Sequence, residues 1–130
     1  MSTSSAAAGT TADMAVNLAV LRGECSTPAE VRVLDSGTRL ASLAVRVPAG
    51  ENATSVPVTV WDPTTAVESL AEGDPVTVVG RVRRRFYRRG DGGAGSRVDI
   101  EAERVVVGHD KRRTAATRRL AESALAALDQ

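Results

Sequence analysis

The chain has 130 residues, 42% of them hydrophobic and 25% charged, with a formal net charge of +1. That length and balance fit one globular domain with tails. They exclude a protein that binds nucleic acid through global basicity, so any such binding has to come from a local patch. The single cysteine, Cys25, excludes an intrachain disulfide and fits a reducing cytoplasm.

Valine dominates the apolar set, which points to a β-rich core. No run approaches the length of a transmembrane helix, and the N-terminus shows neither a basic leader nor an apolar h-region. Neither a membrane location nor a secretory signal is expected. Residues 1–13 are small, polar or alanine and cannot bury enough surface to offset ordering, so disorder is expected there, with Met14 an alternative start.

Val16 to Cys25 reads as a long first strand that is apolar on both faces. Val16, Leu18 and Val20 lie on one face; Ala19 and Leu21 lie on the other. One face serves the core, and the second needs a cover, for which a partner subunit is one candidate. Gly23 permits a bend or bulge. After a break at Pro28, Glu30 to Leu34 resumes the strand, and Asp35-Ser-Gly-Thr38 is turn chemistry. Arg39 to Val47 returns with Ala41, Leu43, Val45 and Val47 on one face. Pro48 to Thr54 reads as a polar loop. Ser55 to Trp61 alternates again, with Val56, Val58 and Val60 inward and Thr59 and Trp61 on the polar face.

A short helix follows. Asp62 can cap it, Pro63 suits its first position, Thr65 to Glu68 fits a capping box, and Gly73 suits its C-cap. Val67 and Leu70 face inward in this reading. Pro75 to Tyr87 is the fourth strand, Arg88 to Ser96 a glycine-rich mobile hairpin loop, and Arg97 to Val107 the fifth strand, with Val98, Ile100 and Ala102 inward. No Lys-Ser/Thr and no helix follow the glycines, so a P-loop is excluded. Residues 109–130 form a basic tail in which Arg113 to Leu128 favours a helix. Ala116, Leu120, Ala124 and Leu128 make one thin apolar stripe, suited to docking on the domain, pairing with another copy, or fraying.

The stretch from Gly80 to Arg89 carries six arginines, and the aromatics Phe86 and Tyr87, in a chain only 2% aromatic. With a period of two, Val76, Val78, Gly80, Val82, Arg84 and Phe86 share the core face, while Thr77, Val79, Arg81, Arg83, Arg85 and Tyr87 share the other. A guanidinium row ending in a flat ring suits a single nucleic-acid strand: charges track phosphates and the ring stacks on a base. An ordinary strand with a charged outer face has the same pattern. Trp61, the sole tryptophan, is likewise either a ring folded over a strand end or a stacking platform.

Five antiparallel strands with a helix between the third and fourth is the pattern of an OB-fold barrel, spanning residues 14–108. Val16-Asn-Leu-Ala-Val-Leu-Arg-Gly23, Pro28-Ala-Glu-Val-Arg32, Ser36-Gly-Thr38 and Gly80-Arg-Val-Arg-Arg-Arg85 resemble, in order and spacing, the bacterial single-stranded DNA-binding proteins. The resemblance implies an all-β OB fold that assembles as a homotetramer or homodimer, is nucleoid-associated, and binds single-stranded DNA without sequence preference in replication, recombination or repair. It assigns Trp61 and Tyr87 to base stacking and places Arg81, Arg83 and Arg85 on the family's basic strand. Arg46, Thr59, Arg88 and Arg89 complete the expected DNA contacts, and Leu18 and Val20 the expected oligomer interface. Two further stacking tryptophans of the family are non-aromatic here, near Glu51 and at Ser55. The family's acidic tail with its Pro-Phe tip is not found either; the chain looks like a short, divergent paralogue.

No catalytic constellation is visible. The one histidine, His109, stands beside Asp110 with no cysteine cluster, which gives a metal site or a triad nothing to work with. Glu24, Glu30, Glu101 and Glu103 read as solvent-facing strand residues. No enzyme activity, cofactor or small-molecule substrate is expected. An OB module of the primosomal type, whose main contact is a protein, is the alternative to single-strand binding.

Overall fold

The structure is a computed structural model that describes residues 15–108 and 111–129. The expectations for residues 1–13, Met14, and the pair His109 and Asp110 lie outside the described residues. Six strands form one sheet: β1 (Ala19–Cys25), β2 (Glu30–Val33), β3 (Arg39–Ala49), β4 (Asn52–Trp61), β5 (Pro75–Arg88) and β6 (Ala94–Val107). A one-turn helix α1 (Thr65–Glu68) lies between β4 and β5, and a second helix α2 (Lys111–Ala126) follows β6, ending in a 3-10 turn (Ala127–Asp129). The strand order is β1-β5-β6-β4-β3-β2, and β1 also pairs with β3, so the ladder returns to its first strand. β4 and β6 run parallel; the other pairings are antiparallel. Among the described residues, no helix is long and apolar enough to cross a membrane.

The expected single bent first strand is two short ones. β1 starts at Ala19 rather than Val16 because the Asn17 side chain takes over the ladder. Its amide nitrogen donates to the Val82 carbonyl and its oxygen accepts from the Val82 N–H, both at 2.8 Å. At its far end β1 leaves β5 and meets β3, with Glu24 opposite Arg46 and Cys25 opposite Val45. Gly23 lies at that crossing, where any Cβ would collide with the Arg46 carbonyl oxygen. The residue permits close approach of two backbones rather than a bulge.

Most of the residues expected to face inward form the core: Ala41, Leu43, Val45, Val58, Val60, Val67, Leu70, Val76, Val78 and Ile100, with Cys25 fully enclosed among them; Val98, also expected inward, is 47% exposed on the hairpin arm. Burial, reinforced by the nearby Asp74 charge, pushes the Cys25 thiol up from its ordinary pKa.

Three local expectations are corrected. The loop expected over Pro48 to Thr54 is a two-residue hairpin, with Ala49 opposite Asn52 and Gly50 at φ 63°. A positive-φ residue in the first central position lets the connection be that short. The loop expected over Arg88 to Ser96 shrinks to residues 89–93, closed by the Arg89 N–H on the Gly93 carbonyl at 2.7 Å. α1 is capped by Thr64, whose hydroxyl accepts from the Val67 N–H at 3.3 Å. Asp62, the expected cap, instead takes the left-handed conformation, φ 50°. The Glu68 expected in a capping box accepts a two-pronged contact from Arg39 at 2.9 and 3.0 Å, tying α1 to β3.

β5 and β6 pair from Val76–Val107 to Arg88–Ala94, with one irregularity: Val79 faces Arg104, but Gly80 faces Ala102. Glu103 is therefore an extra residue, and parity on β6 flips there. Val105 and Val107 point inward on one side of the bulge, Ala102 and Ile100 on the other. On the outer side the register groups Thr77, Val79 and Val106, all buried, with the inward face of α2. That face is formed by Thr117 and Ala121, one residue along from the expected stripe of Ala116, Leu120, Ala124 and Leu128; Leu120 and Leu128 stay exposed. Small residues sit closest to the sheet because they let the helix backbone approach it.

Candidate nucleic-acid interface

The outer face of the sheet carries most of the residues that the sequence singles out. β5 keeps its parity through the bulge, so Arg81, Arg83, Arg85 and Tyr87 share one side, opposite Glu101, Asp99, Arg97 and Gly95 of β6. Thr59 lies beside Glu101 in the parallel pairing, and Trp61, two residues on, shares that side. Trp61 and Tyr87 thus mark the two ends of one row. Along β6 the separation from Glu103, which lines a cavity with Trp61, to Gly95 is roughly 25 Å at about 3.3 Å per residue.

Trp61 is 38% exposed. Its ring borders a cavity of about 250 Å³ that also touches Val67, Arg104 and Arg113. One side of the ring borders core residues, while the rest is open. Tyr87 lies across from Gly95, and a Cβ on that glycine would come within 2.6 Å of the ring. The tip of the ring therefore lies over Gly95 of β6, while the residue stays 50% exposed.

The arginine row is already paired. Arg81 Nη2 lies 3.0 Å from Glu101 Oε1; Arg83 Nη1 and Arg85 Nη2 lie 3.3 and 3.4 Å from Oε2 of the same carboxylate. Arg85 Nε also donates to Asp99 Oδ2 at 2.8 Å, and the Thr59 hydroxyl donates to that oxygen at 2.7 Å. The Asp99 side chain is fully buried. Its other oxygen, Oδ1, has no hydrogen-bond partner among the described residues. The hydrogen bond from Arg81 holds the Glu101 carboxyl below its ordinary pKa; partial burial opposes this, and the charges of Arg83, Arg81 and Arg85 reinforce it.

This corrects the reading of Glu101 as a solvent-facing strand residue: its side chain is 16% exposed and sits among three guanidinium groups. Thr59, expected as a DNA contact, is buried with its hydroxyl committed to Asp99, so its place is beneath the row rather than on it. Arg46 is paired with Glu24 at 3.0 Å, and Arg89 with Asp91 at 3.5 Å. Arg88 is exposed at the hairpin tip. Leu18 is half-buried, and Val20 is 49% exposed, beside Leu125 of α2 in a cavity of about 340 Å³.

Two features escaped the sequence reading. Arg97 lies opposite Arg85 and borders a shallow cavity with Ser42, Pro57 and Thr59, which extends the basic face across β6. Phe86, assigned to the core face, is 77% exposed. β5 and β6 are each 14 residues long, while β1 covers β5 only from Pro75 to Gly80 and β4 pairs β6 only at Ile100 and Glu101. Beyond Val82 the hairpin arm has no core beneath it, so alternation alone places a residue on a face that has nothing to bury it. The excess strand length was the available signal. Among the described residues, no group of three or more acidic, histidine or cysteine side chains could hold a metal ion.

No family model and no curated protein matches the chain. Among solved structures, the chain is similar to the wild-type single-stranded DNA binding protein from Thermus aquaticus and to a deletion mutant of it. Each comparison has a TM-score of 0.59 and 22% sequence identity and covers 71% of this chain. The chain matches 40% of the length of those proteins. At that identity the likeness establishes the fold: a β-sheet of the type found in the Thermus aquaticus protein, built here from six strands with α1 and the C-terminal α2.

Proposed function

We propose that this protein binds single-stranded DNA without sequence preference, across the outer face of the sheet. One observation carries the reading: an exposed basic row runs between Trp61 and Tyr87 on a fold shared with a protein described as binding single-stranded DNA. Trp61 and Tyr87 stack on bases, and Phe86 at the hairpin tip adds a third ring. Arg81, Arg83, Arg85 and Arg97 face the phosphates along the row, with Arg46 and Arg89 at its edges and Arg88 on the Phe86 side of the hairpin tip. The process served is replication, recombination or repair, and the chain is a divergent paralogue of the bacterial single-stranded DNA-binding proteins. Self-association runs through Leu18 and Val20, because Val20 leaves an apolar side chain open on the outer face of β1.

The pairing of the row with Glu101 and Asp99 favours a second reading, an OB scaffold with weak nucleic-acid binding. Titration of the single tryptophan's fluorescence with oligo-dT at low and high salt separates the two. Saturable quenching that weakens with salt is the expected result. A flat signal at low salt would leave the scaffold.

A further inference from the structure

We propose that Glu101 attenuates the arginine row: it holds Arg81, Arg83 and Arg85 in intramolecular ion pairs and so sets how tightly this face takes a phosphate backbone. The inference rests on the single-strand reading and deepens it. Three arginines set against Glu101 and Asp99 leave a local charge of +1, by three minus two. A phosphate approaching the row meets cations that already have a counter-charge, and that charge is part of the protein.

The two acids differ in what they can release. Asp99 is fully buried and fixed by both Thr59 and Arg85, so it belongs to the fold. Glu101 touches all three arginines through its two oxygens and remains 16% exposed. Arg81 and Arg83 are nearly half exposed, and each guanidinium has five N–H donors, more than these contacts use. Phosphate can therefore reach them without breaking the fold, but it does so next to a fixed carboxylate. Two consequences follow. Repulsion between phosphate and Glu101 weakens binding, and an arginine already neutralised within the protein displaces fewer condensed cations from the DNA than an unpaired one. Glu101 is thus a positioning and tuning residue, and its neutralisation should strengthen binding.

The test compares wild type, Glu101→Gln and a charge-matched control, Glu72→Gln, which lies on the exposed turn before β5. Each full-length protein is titrated with oligo-dT by tryptophan fluorescence over a salt series, and its melting curve is recorded. Glu101→Gln is expected to bind roughly three- to tenfold more tightly at low salt, with a log K against log salt slope steeper by about 0.7 for each contact released. Glu72→Gln should stay within about twofold of wild type, because exposed charges far from the row are screened. If Glu101→Gln binds equally or more weakly while wild type binds, Glu101 only orders the arginines and the attenuator role is overturned. An equal gain in both variants assigns the effect to net charge and overturns it too. Absence of binding by every variant removes the single-strand reading, and this inference falls with it.

Discussion

Arg85 and Asp99 make the most enclosed ion pair of the sheet, Nε to Oδ2 at 2.8 Å with the carboxylate side chain fully buried. An unpaired buried charge is far more costly than a broken surface pair. Arg85→Ala leaves Asp99 with the Thr59 hydroxyl alone and should destabilise the fold by about 3–5 kcal/mol. Arg83→Ala, on a side chain 45% exposed, should cost about 0–1 kcal/mol. Urea unfolding of the two variants measures the difference. Equal midpoints would mean that Asp99 finds another partner. An alanine scan for DNA contacts must therefore read Arg85 with its stability beside it.

Glu101 gives the sheet a pH dependence of known sign. Its carboxyl is held below the ordinary value, chiefly by the Arg81 hydrogen bond, so the folded state binds its proton less readily than the unfolded chain. The stabilisation is fully present above the unfolded glutamate pKa of about 4.3 and is lost as pH falls through the lower folded value. The melting-temperature gap between wild type and Glu101→Gln should be constant from neutral pH down to about 5 and then close under acid. A gap that widens under acid would reverse the assigned direction.

Much of the fold is legible in the alternation of small apolar residues. Leu43, Val45, Val58, Val60, Val76 and Val78 point where a period of two puts them, because both sides of each strand see distinct surroundings near the core. Legibility ends where the pattern depends on a partner strand. Nothing in the residues around Glu101 shows that it faces Arg81; that needs the β5–β6 register and the bulge at Val79 and Gly80. The basic row is visible in the sequence, but its pairing with two acids is not, since they lie on another strand. Phe86 was misplaced for the same reason: alternation gives a side, and only the lengths of neighbouring strands say whether that side is covered.

Phe86 and Tyr87 leave opposite sides of the hairpin arm, and that separates their predicted effects. Phe86→Ala should change stability by no more than about 0.5 kcal/mol, because its ring is 77% exposed. If the tip stacks on bases, the same substitution should weaken oligo-dT binding by about 1–3 kcal/mol. Tyr87→Ala should weaken binding by a similar amount and also loosen the arm, since its ring lies over Gly95. Unchanged binding by Phe86→Ala, with Tyr87→Ala impaired, would confine the track to the outer face. Trp61→Ala should cost about 1–3 kcal/mol of binding at the other end of the row, with partial loss of stability because the ring also borders Val67.

The apolar outer surface near β1 has two candidate covers, and they compete. Thr77, Val79 and Val106 are buried on the side of the sheet that faces Thr117 and Ala121 of α2. Val20 borders the same cavity as Ala121 and Leu125, yet is still 49% exposed. A second copy approaching through Leu18 and Val20 would therefore meet the edge of α2. Ala121→Arg places a long cation where only a small side chain fits, and should lift α2 from the sheet. Hydrogen exchange should then rise along residues 111–126, and sedimentation should show stronger self-association as Val79 and Val106 become accessible. Adding Leu18→Lys and Val20→Glu should abolish that association and leave the variant less associated than wild type, because unpaired charges at a buried contact are strongly disfavoured. If Ala121→Arg frees the helix and the assembly state does not move, the outer face of β1 is not a subunit contact, and α2 is its sole cover.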